Sequence, residues 1–221
     1  MRVRAAVISL LAVCLGAAPA VAQTLYNNGP IDGNTDAWTI NFGFIVSDTF
    51  TVASDGSTVT GARFGMWLFP GDTLASAELS ITSAENGGTT YFDQTVNFTQ
   101  SACTANQYGF NVCVESTNFV GPTLEAGTYW LNLQNANVPS GDPIYWDENS
   151  GPSMASENSV GSIPSEAFAV LSTCAGGSPG GCGTTTTTTT STTTSVPEPS
   201  SIMLFGSAML GLTSLWRRRL Y

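Results

Sequence analysis

Over residues 75–82, Ala75, Ala77, Leu79 and Ile81 alternate with Ser76, Glu78, Ser80 and Thr82. A period of two puts the apolar side chains on one face of a strand and the polar ones on the other. The same period recurs at Trp38, Ile40, Phe42, Phe44 and Val46, with Phe50 and Val52 continuing it after Ser47 and Asp48. It returns at Phe92, Val96 and Phe98, at Tyr108, Phe110, Val112 and Val114, and at Tyr129, Leu131 and Leu133. Residues 59–69 are apolar on both faces towards their end, which fits a central, covered strand. Outside the two ends of the chain, no window repeats apolar residues at helical spacing. Gly, Pro, Asn and Asp separate the runs. This predicts an all-β fold, an antiparallel two-sheet sandwich. The longest connections need room to cross between sheets, so the expected arrangement is jelly-roll-like.

The ends follow other rules. Arg2 and Arg4 precede an apolar run over residues 5–18, and Ala20, Val21 and Ala22 offer small residues for cleavage before Gln23. This predicts an N-terminal signal helix, residues 1–22, removed on export. At the other end stand Val196, Pro197, Glu198 and Pro199. The prolines fix φ and withhold donors, so this stretch stays extended. An uncharged run follows over residues 202–216, then Arg217, Arg218 and Arg219. As a helix, those fifteen residues reach about 22 Å, short of a ~30 Å hydrocarbon core. Trp216 suits an interface, and the arginines hold their end on the cytoplasmic side. The segment is a short transmembrane helix that pauses in a bilayer but anchors poorly.

Motif, short apolar helix and basic cluster, in that order at the C-terminus, resemble the PEP-CTERM sorting signal of bacterial surface proteins. The resemblance implies recognition by exosortase, a membrane-embedded cysteine peptidase, and cutting near Pro197, Glu198 and Pro199. The helix over residues 202–216 would then be discarded. The implied route is transient insertion in the inner membrane as precursor, then the cell surface or the extracellular space. A second likeness is carried by Val46 to Val52 running through Val59 and on to Trp67 and Asp72, and by residues 126–131, with Tyr129 and Trp130, and 144–149, with Tyr145 and Trp146. They resemble the sandwich domain often found ahead of such a tail. That likeness implies no catalytic activity.

Between the ends lie residues 23–183, 161 in all, which suits one domain. Residues 184–195 are threonine and serine only, a linker with no apolar side chain to bury. The chain has no histidine and no lysine, and Arg63 is the only base between the two targeting segments. Of the 16 acids only Glu198 lies outside the domain, which therefore carries a formal charge of −14. Phosphate contacts need Lys or Arg, so nucleic acid is excluded as a partner. With Cys14 lost in the leader, Cys103, Cys113, Cys174 and Cys182 remain, an even count that points to disulfides in an exported protein. Four cysteines allow three connectivities. Proximity favours Cys103–Cys113 and Cys174–Cys182.

Chemistry has few footholds. A serine or cysteine nucleophile usually needs a histidine base. Asp147 and Glu148 are adjacent, and neighbours on a strand point to opposite faces, so they cannot flank one sugar as a glycosidase pair unless the strand has ended. No enzyme is expected, and no cofactor except candidate calcium at Asp32, Asn34 and Asp36. Their spacing is that of a calcium loop, but Ala37 replaces the turn glycine and Gly43 stands where a bidentate Glu belongs. A capped turn accounts for them equally. Trp67, Trp130, Tyr145 and Trp146 are candidates for a glycan-stacking platform, against which stands ordinary core packing. The expected function is that of an exported structural or interaction protein of the cell surface. The alternative is a carbohydrate-binding module of the exopolysaccharide matrix.

Overall fold

The computed structural model describes residues 22–174, with the side chain of Cys174 excepted. Residues 1–21 of the expected signal helix (residues 1–22), Cys182, the linker over 184–195, the motif at Val196, Pro197, Glu198 and Pro199, the helix behind it and the arginines at 217–219 lie outside these residues.

Among the described residues there are strands and no helix. One sheet holds β1 (Gln23–Asn27), β2 (Ala37–Thr39), β4 (Ser57–Leu68), β7 (Thr99–Ala105), β8 (Asn111–Asn118), β9 (Thr123–Leu124), β11 (Tyr145–Asp147) and β14 (Phe168–Cys174). The other runs β13 (Gly161–Ile163), β12 (Ala155–Glu157), β3 (Ile45–Val52), β10 (Gly127–Asn137), β5 (Ser76–Ala84), β6 (Gly87–Asn97) in spatial order. Every pairing is antiparallel. The two inner faces close on a common core, as the sequence alternation requires of a two-sheet sandwich.

β4 is the spine of the larger sheet. β14 and β11 pair along one of its edges, β8 and β9 along the other. Val59, Ala62, Phe64, Met66 and Leu68 enter the core. The change of parity between Val59 and Ala62 marks a bulge, where the register of β14 shifts between Leu171 and Ser172. From the smaller sheet, Phe50, Leu79, Ile81, Leu131 and Leu133 meet this face, each 0–1% exposed. Burying a side chain of this size contributes roughly 1.5–3 kcal/mol.

Two expectations about the strands do not hold. Residues 38–46 are not one strand. β2 ends at Thr39, and Phe44 N donates to Asn41 O at 3.1 Å across a turn. Phe42 (φ 59°) and Gly43 (φ 91°) occupy the left-handed region in that turn. The chain thereby passes from the larger sheet to the smaller. Ile40 and Val46 are buried, and Phe42 stands 65% exposed. The second concerns residues 108–114. The apolar parity there faces outward, and the side chains that β8 sends into the sandwich are Cys113, Glu115 and Thr117.

Candidate functional site on the outer face of the larger sheet

Trp67 follows the core residue Met66 on β4, so its ring lies on the outer face of the sheet. That face is covered there. Tyr108 stacks on Trp67 with centroids 5.4 Å apart and planes 19° apart, and Phe110 lies 5.8 Å away. Phe110 also meets Phe69 at 4.9 Å and Tyr145, edge-on, at 5.5 Å. Five rings thus form a second, smaller apolar cluster outside the sandwich. Its rim is open: Tyr108 is 51% exposed and Phe69 38%.

Asp147 fixes the cluster to the chain's first long loop. Trp67 Nε1 donates to Asp147 Oδ1 at 2.6 Å, and the backbone N–H groups of Asp32 and Gly33 donate to Oδ2 at 3.1 and 3.4 Å. Burial pushes the Asp147 carboxyl up to about 6, even with these donors holding it down. The loop is thereby strapped across the sheet. Glycine is required under the strap: a Cβ at Gly65 would lie 2.7 Å from Ile31 Cγ2. Between the strap and the β7–β8 hairpin runs a groove of about 390 Å³ lined by Asp32, Asn34, Thr104, Asn106, Gln107 and Val112, among others. Tyr108 Oη donates to Asn34 O at 3.4 Å beside it.

The four aromatic candidates do not share a surface. Trp146 is 0% exposed, packed edge-on against Phe64 and Phe168 at 5.3 and 5.6 Å, with Nε1 donating to Ala167 O. It follows Tyr145 by one position, and the pleat sends it to the opposite face, into the core. Trp67 is 5% exposed beneath Tyr108 and Phe110. Trp130 belongs to β10 of the other sheet and is half-buried. A platform of these four is therefore corrected to a cluster in which only Trp67 and Tyr145 take part. The strap brings Asp32 and Asn34 beside them. The sequence reading missed Tyr108, Phe110 and Phe69. The signal was present in the alternation of residues 108–114, which marks an apolar face without saying on which side of the sheet it lies.

Asp32 and Asp36 spend their carboxylates on the backbone. Asp32 Oδ1 accepts Asn34 N at 3.0 Å, and Asp36 Oδ1 accepts Ala37 N at 2.9 Å. These are local turn caps. Glu148 Oε2 accepts Trp38 Nε1 at 3.1 Å, so Asp147 and Glu148 serve different tryptophans. Cys103 and Cys113 are joined, tying β7 to β8. The side chains of Cys174 and Cys182 lie outside what is described, so their expected bond does too.

Comparison with known families bears on the tail. Residues 195–219 match the family model of the PEP-CTERM protein-sorting motif. The chain carries a PEP-CTERM signal. The matched span holds Pro197, Glu198 and Pro199, the apolar run and Arg217, Arg218 and Arg219, so the three-part order read from the sequence is that of the motif. PEP-CTERM tails imply processing by exosortase and export through a membrane-held precursor to the cell surface. No curated protein matches the chain significantly.

Proposed function

We propose that this exosortase-sorted protein serves at the cell surface as a non-catalytic structural or interaction module, its β-sandwich carried on the Thr/Ser-rich linker. The observation that carries the reading is the PEP-CTERM match over residues 195–219 behind a folded β domain. Mature protein recovered from the surface of a host with exosortase should end ahead of Ile202, read by mass spectrometry of its C-terminal peptide. A peptide ending at Tyr221 would falsify the sorting reading.

One observation favours a more specific role. An exposed ring, Tyr108, stands beside a groove lined by amide and carboxylate side chains, the combination that suits a neutral glycan. In this reading Tyr108 offers a face to a sugar ring, and Gln107 offers hydrogen bonds to its hydroxyls. Affinity electrophoresis in the producing organism's exopolysaccharide tests it. Tyr108→Ala should abolish retardation, while Trp130→Ala on the far sheet should leave it unchanged. Retardation equal in wild type and Tyr108→Ala would remove the glycan reading and leave the sorting reading untouched.

A further inference from the structure

A second groove, of about 420 Å³, opens where three turns meet at one end of the sandwich. Asn41, Phe42 and Gly43 line it together with residues 135–138, Gly141 and Asp142. Ile40 N donates to Ile144 O there, and Ala136 N to Ile40 O, while Tyr145 pairs with Trp67 near the end of β4. Cys174, where the described chain stops, pairs with Ser57 at the start of β4. The twelve residues of β4 therefore hold the groove and that point roughly 35–40 Å apart, at opposite ends of the sandwich. The volume lies within the range of about 300–1,000 Å³ that small ligands occupy.

Phe42 stands at this groove at a cost. Its φ of 59° is in the left-handed region, where a Cβ is crowded and an aromatic residue is an outlier. Its ring is 65% exposed, so core burial does not offset that strain. Strain kept at a residue that adds nothing to the core points to a ring kept for what it presents to solvent.

A second observation is independent of the backbone. Asn41 is 5% exposed, its Nδ2 donates to Asp142 O at 3.1 Å, and its Oδ1 has no partner. Turning the amide over would set its oxygen against a carbonyl, so the orientation is fixed and the negative end stays unpaired. Among the described residues nothing donates to the Asp142 carboxylate, and the Asn137 amide makes no hydrogen bond. Arg63, the domain's only base, stands midway along β4, between Ser116 and Ala169. The groove thus offers an open ring and a surplus of acceptors, one of them a half-buried carboxylate, with no cation of its own.

We propose that this groove binds a sugar unit carrying a protonated amine. The ammonium donates to the Asp142 carboxylate, and the unpaired Oδ1 of Asn41 adds to the negative potential beside it. Phe42 offers its face both to the apolar side of the sugar ring and to the charge. Asn137, with an amide free to donate and to accept, takes hydroxyls. A lysine side chain from a protein partner would satisfy the carboxylate but bring no acceptor for that amide, which favours the sugar frame. The site lies apart from the groove beside Tyr108, and it rests on neither the sorting nor the neutral-glycan reading.

The test uses the full exported protein, titrated by calorimetry with the glucosamine tetramer at low salt and mildly acidic pH, where its amines are protonated. The N-acetylglucosamine tetramer and tetralysine are the comparisons. The glucosamine tetramer should bind, and added salt should weaken it. Both comparisons should bind at least about tenfold more weakly. Phe42→Asn removes the ring and suits the left-handed backbone, so it should abolish binding while raising the thermal midpoint by about 2–4 °C. Asp142→Asn should weaken binding about tenfold and remove its salt dependence, with the midpoint unchanged. Tyr108→Ala should bind as wild type. The proposal is overturned if wild type does not bind the glucosamine tetramer, if either comparison binds as tightly, if Phe42→Asn binds like wild type, or if Tyr108→Ala is the variant that loses the ligand.

Discussion

Glu115 is an ionisable group facing the core from β8, 0% exposed and with both oxygens unpartnered. Desolvation lifts its carboxyl from an ordinary 4.5 to about 7. The folded state therefore binds a proton that the unfolded state releases, and stability falls as pH rises. The contribution is full below about 4.5 and lost through pH 7, at a cost of about 1–3 kcal/mol between pH 5 and 8. Urea unfolding across that range should show the decline, and Glu115→Gln should make it shallower, leaving the share of Asp48 and Asp147, whose carboxyls are each raised to about 6. A wild-type midpoint constant from pH 5 to 8 would refute the assignment. The sequence concealed this residue for a physical reason. Val112 and Val114 carry the apolar parity of the strand, yet they lie on its outer face, where the strap at Gly33 covers Val112 and Val114 is half-buried. A strand sandwiched between a core and a strap is apolar on its wrong face, and alternation alone cannot say which face is which. Trp146 failed the opposite way: it was read beside Tyr145 as one exposed patch, but the pleat divides the pair.

At the scale of elements, the strands with unbroken period-two patterns were legible. β4, β5 and β10 stand where the alternation put them, because each is covered on its inner face by the opposite sheet. β12 and β13, three residues each, were not legible, since so short a run has no period to read. The turn at Phe42 and Gly43 was hidden inside a continuous apolar alternation that the backbone does not follow. The β7–β8 hairpin is the element most dependent on a covalent bond. β7 is an edge strand with mostly exposed side chains, and Cys103–Cys113 closes a sequence separation of 10. In the chain-entropy model such a loop contributes somewhat less than about 3 kcal/mol. Reduction, or Cys103→Ser with Cys113→Ser, should lower stability by that order. Hydrogen exchange should quicken first in β7 and at Tyr108, with β10 unchanged. Uniform loss of protection across both sheets would contradict a local role for the bond.

For the whole molecule, the sequence was most informative where the fold says least, in the tail. Order and chemistry of three short segments identify a sorting signal without any tertiary contact, whereas a binding groove exists only once distant loops meet. Pro197→Ala with Pro199→Ala should leave the precursor full-length in the inner membrane, read by immunoblot of membrane and surface fractions. Cleavage at wild-type efficiency would mean that the prolines do not set the cut. The formal −14 of the domain includes Asp48, Glu115, Asp147 and Glu166, all of them buried acids with raised proton affinity, so the surface that faces the surroundings is less charged than composition suggests. One further property follows from the pairing of the first strand with the last. β14 lies between β1 and β4, with Gln23 beside Ser172 and Cys174 opposite Ser57. Were the mature chain held through the residues after Cys174, a pull on it would load β14. Antiparallel ladders on both of its flanks would resist such a pull together in shear, instead of parting rung by rung.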